Sequence, residues 1–425
     1  MKESFCVLAV DFCKDYSQIA YCNETMSEPD SVSTKLGDQL YLIPTAVGYI
    51  ADEDRWCIGE EAISYKKLDN ESVCTDMLDA ILTETGITLS EKKYSAHEVV
   101  TEYFKGLLNL VEKLYQIKEI DKIVVSVEYP DRILVNLIRN ILGDLGFLKD
   151  NIKIIGHSES LIYYTIFQKK ELWVNDVLVF DFNENQFFVR RLTTHRARTP
   201  QPVIVEENDL SKKFKMEYLS DPEKKKEMDK EFLVLIKRLC EKYVVSTVYL
   251  TGKGFYENWM EESIRFLCLR RRVFQGYNLF VKGGAYAAIS MLGIEKENEY
   301  QFVCAGRTVI DILLEVDKED KDVFVTLSKA GTNWYEAGAR AEVILDDVDK
   351  IRLKLVSSLS KSEKYLTIDL NNFPQRPNRT TRVEIILAYR NDTQCIVVAK
   401  DMGFGEFFKA TDSSVKTTIN IEEYI

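Results

Sequence analysis

The hydrophobic rhythm of this chain changes once, near residue 295, and that change limits the fold more than any other feature. Up to about Glu295, strand-like and helix-like segments alternate. Phe5 to Asp11 is a short apolar run that reads as a buried strand, with Ser17 to Cys22 as its hairpin partner. Phe104, Leu107, Leu108, Val111, Leu114 and Tyr115 recur at helical spacing. Ile123 to Val127 is a β-branched strand, followed by Asp131, which can cap a helix carrying Leu134, Leu137, Ile138 and Ile141. Ile152 to Ile155 reads as a strand, and Leu161 to Phe167 as a helix. Val177 to Asp181 and Phe187 to Leu192 predict a hairpin around Asn183-Glu184-Asn185-Gln186. A charged helix over Asp221 to Tyr243 then leads into the strand Thr247 to Thr251. Alternation of this kind implies a sheet flanked by helices.

Beyond Glu295 the period becomes two. Val323 to Leu327, Ala341 to Leu345, Ile351 to Val356, Tyr365 to Leu370, Arg382 to Leu387 and Gln394 to Ala399 alternate apolar and polar residues, with turn clusters between them. Short strands at regular spacing predict an antiparallel β-sandwich. A length of 425 residues also exceeds what one hydrophobic core holds. We therefore expect an α/β domain over residues 1–296 and a sandwich over 297–425.

Composition excludes several classes of function. The net charge of −12 argues against nucleic acid as a partner, since phosphate binding needs a basic surface. The run Lys224-Lys225-Lys226 lies among acids and reads as a solvated helix face, and Arg270-Arg271-Arg272 is read the same way. No window offers the roughly 18 apolar residues of a membrane span, so no membrane partner is expected. Nine cysteines are scattered without a CxxC pair. That usage points to a reducing, cytoplasmic setting rather than a disulfide frame or zinc site. There is no GxxxxGK[ST], GxSxG or HExxH, and only three histidines, so histidine chemistry is not expected.

Two stretches resemble one family. LTIDLNNFPQRP (366–377), then RVEII (382–386), then CIVVAKD (395–401) are similar in order and spacing to the substrate-binding β-sandwich of DnaK-type chaperones. In the first half, LIPTAV (42–47) followed by CIGEEA (57–62) is similar to the I-P-S-x-V and I-G-x-x-A pair of the same family's nucleotide-binding domain. AVD (9–11) and VLVFD (177–181) stand where that family begins its two phosphate hairpins. YLTGKG (249–254) resembles its adenosine-binding turn, and KGGAYAA (282–288) the helix start after it.

The resemblance implies an actin-like (ribonuclease-H-like) nucleotide-binding fold with two lobes, about 1–170 and 171–296, ahead of the sandwich. It also implies a set of nucleotide-binding candidates: Asp11, Lys14, Asp181, Gly252, Lys253, Gly254, Gly283 and Gly284. Asp11 and Asp181 would reach Mg²⁺ through water if ATP binds. Departures from the family are concentrated at those hairpins. Neither Asp11-Phe12-Cys13-Lys14-Asp15-Tyr16 nor Asp181-Phe182-Asn183-Glu184-Asn185-Gln186 contains the glycines that let backbone approach phosphate. His157 falls about where the family has its catalytic glutamate and reads as a structural histidine. No helical lid follows the sandwich in this sequence.

The expectation is a chaperone-like protein with a degenerate nucleotide site, requiring no cofactor and binding polypeptide or a partner protein through the sandwich. Val325 to Ala330 and the loop at Asn333-Trp334 are the nearest sequence candidates for the peptide contact. Two alternatives are a divergent ATPase using ATP or ADP with Mg²⁺, and a non-catalytic actin-like scaffold.

Overall fold

The computed structural model describes residues 4–35, 37–184, 186–293, 299–317 and 322–424. The chain divides into two units, Met1–His195 with Val203–Tyr300, and Arg196–Pro202 with Gln301–Ile425. The expected boundary at 296/297 lies outside the described residues, as does Asn185 in the second hairpin.

In the first unit, apolar and β-branched runs form strands β1 (Cys6–Phe12), β2 (Tyr16–Asn23) and the short β3 (Asp30–Ser31). Helix α1 (Ala96–Tyr115) follows. It opens on a capping box in which Ser95 and Glu98 satisfy each other's backbone N–H groups. Next come β4 (Lys122–Val127), α2 (Arg132–Asp144), β5 (Ile152–Gly156) and α3 (His157–Phe167). Asp131 caps α2 by accepting from the Ile133 N–H, as its position predicts.

The second half of the unit holds β6 (Asp176–Asn183), β7 (Gln186–Thr194) and β8 (Gln201–Asp209). Helix α4 (Pro222–Lys242) starts at an Asp221 cap with proline in its first turn. It is followed by β9 (Val245–Thr251), α5 (Glu261–Cys268), β10 (Arg272–Gln275) and α6 (Leu279–Ser290).

Two sheets in this unit share one plan. The first runs β5-β4-β1-β2-β3 and the second β10-β9-β6-β7-β8. In each, two strands lie parallel on one side of the leading strand, and antiparallel strands lie on the other. The two aspartates occupy the same place in this plan. Asp11 on β1 stands between Gln18 and Ser126, and Asp181 on β6 stands between Phe188 and Thr251.

Aromatic packing holds the second sheet to its helices: Phe180, Phe182, Phe187 and Phe232 are all fully buried in one cluster with Trp259. Burying side chains of this size contributes roughly 2–3 kcal/mol each before entropy is set against it. On the first sheet, α6 lies over β1, where Ala9, Ala20, Val281 and Ala285 form a small-residue contact.

The second unit is two four-stranded antiparallel sheets. Its strands are β11 (Ile310–Asp317), β12 (Asp322–Ser328), β13 (Ala339–Ile344) and β14 (Lys350–Ser357). They continue with β15 (Glu363–Asp369), β16 (Arg382–Asn391), β17 (Gln394–Asp401) and β18 (Ser414–Asn420). One sheet runs β12-β11-β14-β15 and the other β13-β16-β17-β18. Alternate residues such as Ile312, Leu314, Leu353, Leu355, Ile385 and Val397 fill the space between them. Trp334 is a core residue here, 1% exposed, so the expected peptide contact at Asn333-Trp334 is corrected. Within the other expected segment, Leu327 and Ser328 are also buried, whereas Val325 is not.

Candidate functional site

The turns after β1 and β6, the start of α3 and the turn after β9 enclose one cleft within the first unit. Its lining includes Asp11, Cys13, Glu128, His157, Asp181 and Lys253. Each element arrives for a local reason. Strand β1 ends as its apolar run gives way to Cys13-Lys14-Asp15, and α3 begins where the extended Gly156 hands over to His157. Gly252 has φ +94°, a left-handed conformation that a side chain would strain. A Cβ there would also fall on the Phe182 carbonyl, so this turn is pressed against β6.

Asp11 is almost fully buried and is held by two neighbours. The Ser126 hydroxyl donates to its Oδ1 at 2.7 Å, and His157 Nε2 lies 2.9 Å from the same oxygen. The imidazole stacks face to face on Phe280, centroids 3.9 Å apart and 3° from parallel. Burial opposes a charge on His157, but Asp11 outweighs it and holds the imidazole above its ordinary value. Cys13 Sγ sits 3.5 Å from the same Nε2. Burial, and then Asp11, Glu128 and Asp181, push that thiol well up, so it is protonated at neutral pH.

Asp181 is closed off in a parallel way. Arg190, fully buried on β7, donates to Asp181 Oδ2 at 3.1 Å and to Glu207 on β8 at 2.5 Å. The guanidinium also faces the rings of Phe188 and Phe280 at about 5 Å. Asn183 Nδ2 donates to the other Asp181 oxygen at 2.9 Å. Burial pushes the Asp181 carboxyl up even with Arg190 and His157 pulling it down.

Of the residues predicted from sequence, Asp11, Lys14, Asp181, Gly252 and Lys253 line this cleft. Both lysines are engaged elsewhere. Lys14 pairs with Asp79 at 2.6 Å, while Lys253 lies 3.4 Å above the Tyr16 ring and 3.7 Å from Glu184. Gly254 packs on the Phe182 ring. The expected contacts at Gly283 and Gly284 are corrected: both are buried within α6 and absent from the cleft lining. A Cβ on Gly283 would collide with the Ser160 carbonyl, and one on Gly284 would come 3.2 Å from Ala9. They are glycines because α6 approaches α3 and β1 closely. His157, read from sequence as structural, proves to be central to the cleft.

The cleft volume is about 70 Å³. Sites for drug-sized ligands run to roughly 300–1,000 Å³. With both aspartates turned to internal cations, the residues present do not fit Mg²⁺ with a nucleoside triphosphate. Nor do they form a nucleophilic relay. A cysteine–histidine–aspartate triad uses opposite ring nitrogens, whereas here Cys13 and Asp11 both contact Nε2.

Sequence reasoning missed Arg190, Glu207, Cys13 and Glu128. An arginine sharing a strand face with Phe188 and Leu192 is the signal that could have singled out Arg190.

Residues 307–421 match a second profile, described as a domain of unknown function (DUF8552). No curated protein matches the chain. Residues 28–305, well over half of the sequence, match the profile described as family of unknown function (DUF5716) C-terminal, and the chain belongs to that family.

Proposed function

We propose that this chain is a chaperone-like binding protein built on an actin- and DnaK-type plan, which engages extended polypeptide through its sandwich and does not turn over ATP. The observation that carries the binding half is strand β12. It stands at the edge of its sheet, paired only with β11 among the described residues. Val323, Phe324 and Val325 on it are 38, 38 and 43% exposed. Val325 and Val323 lie opposite Leu314 and Val316, on the face turned toward the sandwich core, yet they remain in reach of solvent. An edge strand with unpaired backbone groups and consecutive exposed apolar side chains is a template for strand addition.

Support for the plan itself comes from the repeated sheet order, with an aspartate at the same place in each half, and from the sandwich that follows. Support for the missing turnover comes from the filled cleft. In this reading the first unit is a platform whose nucleotide space has been taken by its own side chains.

The test is fluorescence polarisation with labelled seven-residue peptides rich in Leu and Val. Saturable binding is expected, lost on Val325→Lys and on placing proline at the peptide centre. Flat polarisation up to millimolar protein would remove the polypeptide-binding reading.

A further inference from the structure

The cleft brings three different donor atoms to one point. Asp11 Oδ1 is 2.9 Å and Cys13 Sγ 3.5 Å from His157 Nε2, and all three atoms lie within 4.8 Å of one another. We propose that Asp11, Cys13 and His157 form a site for one divalent transition-metal ion of the zinc type, with a fourth position open to the cleft. This goes beyond the polypeptide-binding reading and does not rest on it.

Two of the three separations approach those a small tetrahedral ion needs, and the third, between the Asp11 carboxylate and Cys13 Sγ, is within 4.8 Å and has to close on binding. Bonds of about 2.3 Å to sulfur and about 2.0–2.1 Å to nitrogen and oxygen place ligand atoms roughly 3.3–3.6 Å apart. The nitrogen–sulfur distance already has that value, and the nitrogen–oxygen pair has only to open by a few tenths of an ångström. The donor set is mixed oxygen, sulfur and nitrogen, which suits zinc and cobalt and not Mg²⁺. It therefore differs from a Mg²⁺ ion held through water beside a nucleotide.

Charge and surroundings agree. A carboxylate and a thiolate together cancel the two positive charges of the ion, so the loaded site is neutral where burial penalises charge. Part of the second layer is in place: Ser126 donates to Asp11, Phe280 fixes the plane of the imidazole, and the Thr45 hydroxyl donates to the Cys13 carbonyl at 2.7 Å. The ring's Nδ1 is buried without a hydrogen-bond partner among the described residues. As an imidazolium the ring buries that N–H together with a charge; as a metal ligand it is neutral, and the orphaned N–H costs less. The same convergence on Nε2 that defeats a catalytic relay is what a metal centre requires.

Binding exchanges protons for the ion. The Cys13 thiol loses its proton on forming the sulfur–metal bond, and His157 gives up the Nε2 proton, both to solvent. Because Asp11 lies on β1, Cys13 follows it and His157 opens α3, the ion would pin the first hairpin to that helix. Cys13 is only partly buried, which gives an entry path from the cleft.

Cobalt(II) is the probe, added to the chelator-treated full chain. One equivalent is expected to give a thiolate-to-cobalt band in the near ultraviolet together with tetrahedral visible bands. Cys13→Ser should abolish the thiolate band and weaken binding at least tenfold, while Cys268→Ser, at an exposed cysteine, leaves both unchanged. Absence of the band in the wild-type chain, or its persistence in Cys13→Ser, overturns the proposal. If Cys13→Ser does not fold, the wild-type chain carries the test through prolonged alkylation read by peptide mass spectrometry. Cys13 should be labelled in chelator and spared with one equivalent of zinc; equal labelling in both overturns the site. Peptide polarisation and the response to ATP are separate readouts, so failure here leaves the polypeptide reading standing.

Discussion

Arg190→Met is the substitution whose cost the structure fixes most closely. The methionine keeps most of the arginine's apolar stem but leaves Asp181 buried with Asn183 as its remaining side-chain donor among the described residues. Removing one partner of a buried pair costs about 3–5 kcal/mol, because the other charge stays behind. A ceiling on the charge part comes from letting the carboxyl take up a proton. From an ordinary value of about 3.9, this costs about 4 kcal/mol at pH 7 and about 1.5 kcal/mol at pH 5.

Urea unfolding of the full chain, followed at the transition of the first unit, should therefore show a loss of about 3–5 kcal/mol at pH 7. That loss should shrink at pH 5, by at most about 2–3 kcal/mol. Asp181→Asn combined with Arg190→Met removes both charges and should recover most of it, leaving a coupling energy well above 1 kcal/mol. A single-variant loss below about 1 kcal/mol, or one that does not change with pH, would refute the claim that Arg190 neutralises Asp181.

Three further predictions are independent of that pair. Gly283→Ala should destabilise by more than about 2 kcal/mol in thermal scans, since the added carbon meets the Ser160 backbone between α3 and α6. Gly143→Ala, on α2 with open space around it, should stabilise by about 0.5–1 kcal/mol. In the sandwich, Asp401 accepts from Arg376 at 2.7 and 2.8 Å, from the Gly403 N–H at 3.0 Å, and from Thr411 through backbone and hydroxyl. Burial pushes its carboxyl up, but Arg376 and these donors outweigh it and hold it well below the usual range. Its stabilisation is thus present above about pH 4 and lost as pH falls below that. Asp401→Asn should cost roughly 2–4 kcal/mol at pH 7, and less as the pH falls below 4.

Element by element, the fold was legible wherever one residue type repeated at one period. The runs at Val7–Val10, Ile123–Val125 and Val177–Phe180 are apolar because both faces of those strands are covered, and they gave themselves away. Strands β8 and β18 did not, because β8 ends in Glu206-Glu207-Asn208-Asp209 and β18 reads Ser-Val-Lys-Thr-Thr-Ile-Asn, largely open to solvent. Pairing with β7 and β17, rather than local pattern, makes them strands.

The site was legible in part for a similar reason. Asp11 and Asp181 end apolar runs and stand out in sequence. What closes over them comes from far along the chain: Asp11 meets His157 146 positions later, and Glu207 reaches Arg190 across a strand pair 17 positions apart. Long-range partners of this kind leave no mark on periodicity. Gly283 and Gly284 misled because a glycine pair reads as a phosphate or adenosine turn when it can equally serve close helix packing.

The central claim is that the cleft is filled by its own side chains, and thermal scanning of the full chain with millimolar Mg·ATP, Mg·ADP or no nucleotide addresses it directly. The account predicts superimposable transitions in all three. A ligand at a hundred times its dissociation constant stabilises by about 2.7 kcal/mol, which would raise the first unit's transition by roughly 4–5 °C. A rise of that size with either nucleotide, abolished by Asp181→Ala, would contradict it.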